Sequence, residues 1–256
     1  MNRLSAHIGY LYTDLPLADR LAAAAVDGFT AVEHPEPWAI PAPEMAQRLA
    51  DLNLTFSQVT TGMGDPARQE KGLAALPNRT NDLRAAFDRA LTYADTINCP
   101  FIHPMAGITT APEAADTYQA NLRWALAQLQ NTNQRLLIEA ITLPNYHLAT
   151  LHQAAAMQDQ LPEIALLFDT YHAATLGHDS AAWITENPHR IGHIHIADHP
   201  GRHQPGTGTL NFPAILQALI AINYPGAIGF EYLPTTPDST RFLPAWKAQL
   251  SAGAST

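Results

Sequence analysis

Four residues of this chain have the chemical types and the spacing to hold a cation: Glu139, Asp169, His195 and Glu231. Each follows an apolar run: LLI before Glu139, LLF before Asp169, HI before His195 and IGF before Glu231. Three carboxylates and an imidazole gathered at one place would repel and lose hydration unless a positive charge sat between them. A divalent cation is the natural counter-charge. Oxygen-rich ligation with one imidazole suits Mn²⁺, Mg²⁺ or Co²⁺, with zinc staying open. Such a site would hold a hydroxy-carbonyl substrate through both oxygens and acidify the neighbouring C–H. A carboxylate would take that proton, giving an enediolate. Returning the proton to the adjacent carbon isomerises; returning it to the same carbon from the opposite face epimerises. Glu139 and Glu231 can serve either outcome as acid and base.

Several neighbours of these four are candidates for holding the substrate. His193 and His195 alternate with Ile194 and Ile196, which is strand periodicity with both imidazoles on one face. His193 lies deeper and is expected to be a hydrogen-bonded core histidine. His172 follows Asp169 by three residues and is expected to touch substrate. Arg202 and His203 sit on the Gly- and Pro-rich loop after this strand, where an arginine can hold an anionic or hydroxylated group bidentately. His7 and His103 lie near the first and fourth strands and are expected to line the pocket. Trp38 is placed on a mouth loop, while Trp124, Trp183 and Trp246 read as core or pocket wall. Glu33, with Glu36 beyond it, reads equally as a buried acid paired to an arginine and as a further site residue.

These residues must be positioned by regular elements, and the hydrophobic pattern supplies them. Strands are expected at about 6–11, 30–33, 54–59, 100–104, 134–139, 163–169, 190–197 and 226–231. Helices are expected at about 16–27, 42–52, 80–94, 113–131, 148–158, 173–186, 211–222 and 238–250, with Asp14 capping the first and Gly28 stopping it. A polar stretch at about 60–80 is long for a loop, so it is either functional or holds elements the pattern does not reveal. The tail SAGAST is expected to fray. Strand and helix alternate eight times, which implies parallel strands joined by crossovers. The expected fold is an α/β (β/α)8 TIM barrel forming one domain over 1–256, with the site at the C-terminal ends of the strands. The alternative, a doubly wound open sheet, lacks its Gly-rich phosphate fingerprint after the first strand.

Composition narrows the function classes. The chain has 256 residues, of which 46% are apolar, enough for a sizeable core. A net charge of -9 argues against nucleic acid and anionic membrane as partners. Cys99 is the single cysteine, so there is no disulfide framework and no thiolate zinc cluster. No apolar run approaches the ~20 residues of a membrane span and no signal segment is evident. A cytoplasmic protein acting on a small molecule is expected, with homo-oligomerisation left open. Histidine is abundant, at 12 residues.

The segments LLIEAITLPNYHL, FDTYHA, IGHIHIADHPGRHQPGTGTLNF and GFEYLP resemble the hydroxypyruvate isomerase family. That family sits among the xylose-isomerase-like barrels, with the 2-oxo-tetronate isomerases and ketose 3-epimerases. The similarity extends to SAHIGYLY, GFTAVEHPEPW and GLAALPNR, so it covers nearly the whole chain. It implies a divalent metal held by Glu139, Asp169, His195 and Glu231, with the two glutamates as acid and base on opposite sides of the substrate. It implies carbohydrate metabolism and, as the activity, conversion of hydroxypyruvate to tartronate semialdehyde. A 3-epimerase or 2-oxo-tetronate isomerase is the alternative, and a non-catalytic sugar-binding barrel a more distant one. Three departures stand out: His195 replaces a typical glutamine and leans toward the epimerases, Leu233 replaces a lysine, and EAIT stands for EPIN.

Overall fold

The computed structural model describes residues 2–253. Nine short parallel strands run β1 (Leu4–His7), β2 (Ala31–Glu33), β3 (Thr55–Phe56), β4 (Val59–Thr60), β5 (Phe101–His103), β6 (Arg135–Glu139), β7 (Ala165–Asp169), β8 (Ile191–Ile196) and β9 (Ile228–Phe230). Their lateral order is β3-β2-β1-β9-β8-β7-β6-β5-β4. The two end strands are consecutive in the chain, separated only by Ser57 and Gln58. The ring therefore closes through one broken stave: β3 pairs with β2 and β4 pairs with β5. Counted as staves there are eight, as the sequence predicts for a (β/α)8 TIM barrel.

The helices are α1 (Leu17–Val26), α2 (Ala42–Asp51), α3 (Thr80–Thr96), α4 (Ala114–Gln128), α5 (Leu151–Gln160), α6 (Thr170–Thr175), α7 (Ser180–Glu186), α8 (Phe212–Ala221) and α9 (Leu243–Gly253). Two expectations change. The helix expected over 173–186 is two, because the Asp179 side chain accepts from the Ala182 N–H at 2.8 Å and caps a new start. Asp14 does not cap α1, which begins after Pro16 without a side-chain cap. Of the tail expected to fray, 251–253 belong to α9, and 254–256 lie outside the described residues.

Period-two alternation sorts the side chains. Leu136, Ile138, Leu166, Phe168, Ile194, Ile196, Ile228 and Phe230 join the main core between strands and helices. Leu137, Ala165 and Leu167, with Phe101 against them, form a separate small cluster inside the barrel. Above that plug the inward residues turn polar. His7, Gln58, His103, Glu139, His195 and Glu231 all line one cavity at the C-terminal ends of the strands. Phe168 stacks on Trp183, with centroids 4.5 Å apart, and Trp124 and Trp246 pack edge-to-face on Phe87 and Phe230, so these three tryptophans are core, as expected.

Candidate active site

β6, β7, β8 and β9 are adjacent staves, so the residues at their ends converge. Register pairs Asp169 with His195, and His195 with Gly229 two residues before Glu231. One ligand-type atom from each of Glu139, Asp169, His195 and Glu231 lies within 4.8 Å of the other three. All four are buried. Glu139 Oε1 is buried there without a hydrogen-bond partner, and His195 Nδ1 stands 3.0 Å from Glu231 Oε2. Buried polar atoms are normally satisfied. An orphaned carboxylate oxygen among four ligand types fits a cation held between them.

Asp169 serves two purposes. Its Oδ1 accepts from the N–H groups of Tyr171 (2.7 Å) and His172 (3.1 Å), capping α6. Its Oδ2 faces the site, 3.1 Å from Arg202 Nη2. Arg202 also donates to Glu231 Oε2, and its guanidinium lies over the rings of Tyr10 (5.3 Å) and Tyr171 (5.5 Å). The loop that brings it there is organised by Asp198, which is fully buried. The Asp198 carboxylate accepts from the N–H groups of His199 (2.8 Å), Gly206 (2.9 Å), Gly208 (2.8 Å) and Leu210 (3.1 Å). A Cβ at Gly208 would sit 2.3 Å from the His199 carbonyl oxygen, so the turn closes only around glycine.

Charges inside the site pull its groups apart. Burial, then the Glu231 charge, holds Glu139 well above the usual carboxylate range. Burial acts on Glu231 too, but Arg202 and His195 outweigh it and hold Glu231 well below that range. Burial would lower His195, yet Glu231 and Glu33 raise it well above the usual imidazole value. His172 is oriented by Thr142: the Thr142 backbone N–H reaches Nδ1 at 3.3 Å and its hydroxyl at 2.7 Å. Nδ1 is therefore the acceptor and Nε2 carries the proton. That Nε2 lies 4.0 Å from both Glu139 Oε1 and Asp169 Oδ2. His7 Nε2 stands 3.4 Å from Glu231 Oε1, and His103 Nδ1 3.9 Å from Glu139 Oε2.

The structure brings His7, His103, His172 and Arg202 to the cavity with Glu139, His195 and Glu231, and Asp169 Oδ2 reaches Arg202 beside it. Two residues singled out from sequence are not on it. Trp38 packs edge-to-face on Tyr93 at 5.0 Å, with Arg89 over its ring, so it braces α3 rather than the mouth. His203 Nδ1 meets the Leu233 carbonyl at 2.9 Å and ties two loops together. Glu33 is paired with two histidines and not with an arginine: its Oε2 lies 2.7 Å from His193 Nε2 and 3.2 Å from His195 Nε2. His193 is thus hydrogen-bonded below the site, as expected. Glu36 accepts from the Met63 N–H and braces the loop after β4.

Tyr10, Gln58, Thr60, Lys71 and Tyr171 were not singled out by the sequence. The first four line the cavity, and Tyr171 stacks on Arg202. Gln58 obeys the same rule that found Glu139, a polar residue at the end of an apolar strand. Lys71 comes from the long loop at 60–80, which two short 3-10 turns and a buried Glu70 hold in place: Glu70 accepts from Asp65 N–H at 2.8 Å and pairs with Arg79. Lys71 is exposed and has no ion-pair partner among the described residues.

Known proteins share this arrangement of elements. Residues 21–249 match the family described as xylose isomerase-like TIM barrel. The 2-oxo-tetronate isomerase of Pectobacterium atrosepticum is 37% identical, over 96% of this chain and 98% of that protein. The putative hydroxypyruvate isomerase of Homo sapiens is 34% identical, over 91% of this chain and 90% of its own. A crystal structure of an AP endonuclease, family 2, from Brucella melitensis superposes with a TM-score of 0.90 at 30% identity, covering 95% and 99% of the two chains. Both relatives are named isomerases, and the superposition shows a shared barrel. The chain belongs to the xylose isomerase-like TIM barrel family and is an isomerase of that family.

Proposed function

We propose that this protein is a divalent-metal-dependent isomerase of a short hydroxy-oxo-acid, such as hydroxypyruvate or a 2-oxo-tetronate. The observation that carries the reading is the convergence of Glu139, Asp169, His195 and Glu231 within 4.8 Å, beneath a small cavity. These four would hold Mn²⁺, Mg²⁺ or Co²⁺, with Zn²⁺ also fitting the donors. When bound, the ion supplies Lewis-acid polarisation of the substrate carbonyl.

The chain's own residues account for the rest. Glu139 at the end of β6 and Glu231 just past β9, both lining the cavity, hold and return the proton that moves between neighbouring carbons. His172 presents its Nε2–H toward the same space and can donate to a substrate oxygen. Arg202 and Lys71 give the cavity two cations, one stacked between tyrosines and one without a partner, which suit a substrate carboxylate. The cavity has a volume of about 90 Å³.

The 3-epimerase reading is favoured by one residue, His195, which stands where the resemblance to epimerases places a histidine. An AP endonuclease activity, by the name of the superposed Brucella melitensis protein, would need a nucleic-acid partner, and a net charge of -9 opposes that here. Incubation of chelator-treated protein with hydroxypyruvate, with and without added Mn²⁺, tests the proposal. Tartronate semialdehyde formed only with the ion is the expected result. Turnover of ketoses to C3-inverted products alone, or full activity of Glu231→Gln, would sink it.

A further inference from the structure

Glu33 lies outside the four-residue cluster, yet it is fully buried beneath it. Its Oε2 stands 2.7 Å from His193 Nε2 and 3.2 Å from His195 Nε2, across the interior from β8. A carboxylate oxygen with two imidazole nitrogens in reach can only accept. Both Nε2 atoms must therefore carry protons. For His195 this leaves Nδ1 on the side of the cluster, 3.0 Å from Glu231 Oε2.

The space for this arrangement is built in. A Cβ at Gly229 on β9 would meet Glu33 Oε1 at 2.3 Å, His195 Cδ2 at 2.8 Å and His193 Nε2 at 2.9 Å. A side chain there would collide with all three partners at once. The backbone at Gly229 has left room for the carboxylate and both rings.

We infer that Glu33 is a positioning residue for the cation site: it fixes His195 as the Nε2–H tautomer and aims Nδ1 at the ion, with His193 as the second donor that anchors the carboxylate. A carboxylate on the remote nitrogen of a ligating histidine orients the ring and raises its basicity as a ligand. His193 keeps the buried carboxylate from depending on His195 alone, so the anchor stays in place when His195 turns to its ligand role. The inference rests on the metal reading of Glu139, Asp169, His195 and Glu231.

The test has a spectroscopic arm and a binding arm. In Zn²⁺-loaded wild-type protein, ¹⁵N NMR should show His195 bound through Nδ1, with a slowly exchanging Nε2–H proton. Coordination through Nε2 would overturn the inference without any variant. In Glu33→Gln, the Mn²⁺ dissociation constant, read by electron paramagnetic resonance, should rise about 10- to 100-fold, and the Nε2–H resonance should be lost. An unchanged dissociation constant, or an unchanged resonance, would overturn it. Gly229→Ala, which crowds the same three groups from the other side, should weaken Mn²⁺ binding in the same direction. Wild-type protein that takes up no Mn²⁺ overturns the metal reading itself, and this inference with it; wild type that binds Mn²⁺ no better than Glu33→Gln overturns the inference alone.

Discussion

Asp169 and Arg202 share one oxygen that a cation held by the cluster would also use. Asp169 Oδ1 is committed to capping α6, so Oδ2, 3.1 Å from Arg202 Nη2, is the atom left to face the cluster. Arg202 bridges on to Glu231, so the guanidinium neutralises the two carboxylates of β7 and β9 from above. Its own position is set by the tyrosines on either side and by the loop that Asp198 ties.

Replacing Arg202 by Lys keeps the charge and loses the planar fork and the stacking. Hydrogen bonds to charged groups contribute about 1.5–3 kcal/mol each. Loss of one to substrate lowers kcat/KM roughly 10- to 150-fold, mostly through KM. Steady-state kinetics of Arg202→Lys on an oxo-acid checks this, and wild-type kinetics from that variant would remove Arg202 from substrate binding.

Lys71 distinguishes an oxo-acid from a neutral sugar. Lys71→Met should raise KM for a carboxylate substrate by roughly tenfold or more, in line with the loss of one charged contact. KM for a neutral ketose should stay where it is. Equal effects on both would show that Lys71 acts on the loop and not on the carboxylate.

Asp198 predicts a coupled loss of stability and activity. Asp198→Ala leaves four backbone N–H groups of the loop without their acceptor. The cost is about 2–4 kcal/mol, which is roughly a 4–16 °C fall in Tm for a chain of this size. Activity should fall further than stability alone explains, because Arg202 rides on that loop. Differential scanning calorimetry and kinetics on the same sample measure both.

His103 sets a pH dependence of stability. Burial pushes its imidazole down to about 3, against an ordinary value of 6.5. Between those values the unfolded chain binds a proton that the native protein does not, so stability declines as pH falls from about 6.5 to about 3. The Tm of wild type should drop through that window. His103→Gln should drop less steeply, and parallel curves would show that another group controls the acid limb.

Much of this was readable before any fold was known. Glu139, Asp169 and Glu231 each close an apolar strand, and His195 alternates with isoleucines, so residue type and a period of two located all four. The third stave was harder. LTFSQV reads as one strand, but the chain breaks at Ser57 and Gln58 so that Thr55–Phe56 bond to one neighbour and Val59–Thr60 to the other. That break comes from ring closure, which no local pattern reports. Trp38 was misplaced for the opposite reason: its loop does lie near the mouth, but its ring turns back onto Tyr93.

The sequence by itself determined the eight strand–helix units, the inward face of each stave and the polar residue at its end. These follow from hydrophobic periodicity and side-chain chemistry, which act over a few residues. Only the tertiary structure decided who meets whom: Glu33 with His193 across 160 residues, Arg202 with Asp169 and Glu231, and Lys71 on the same cavity as Glu139, His195 and Glu231. Those pairings depend on closing the barrel, where the register of one stave against the next fixes distances that separation along the chain does not contain.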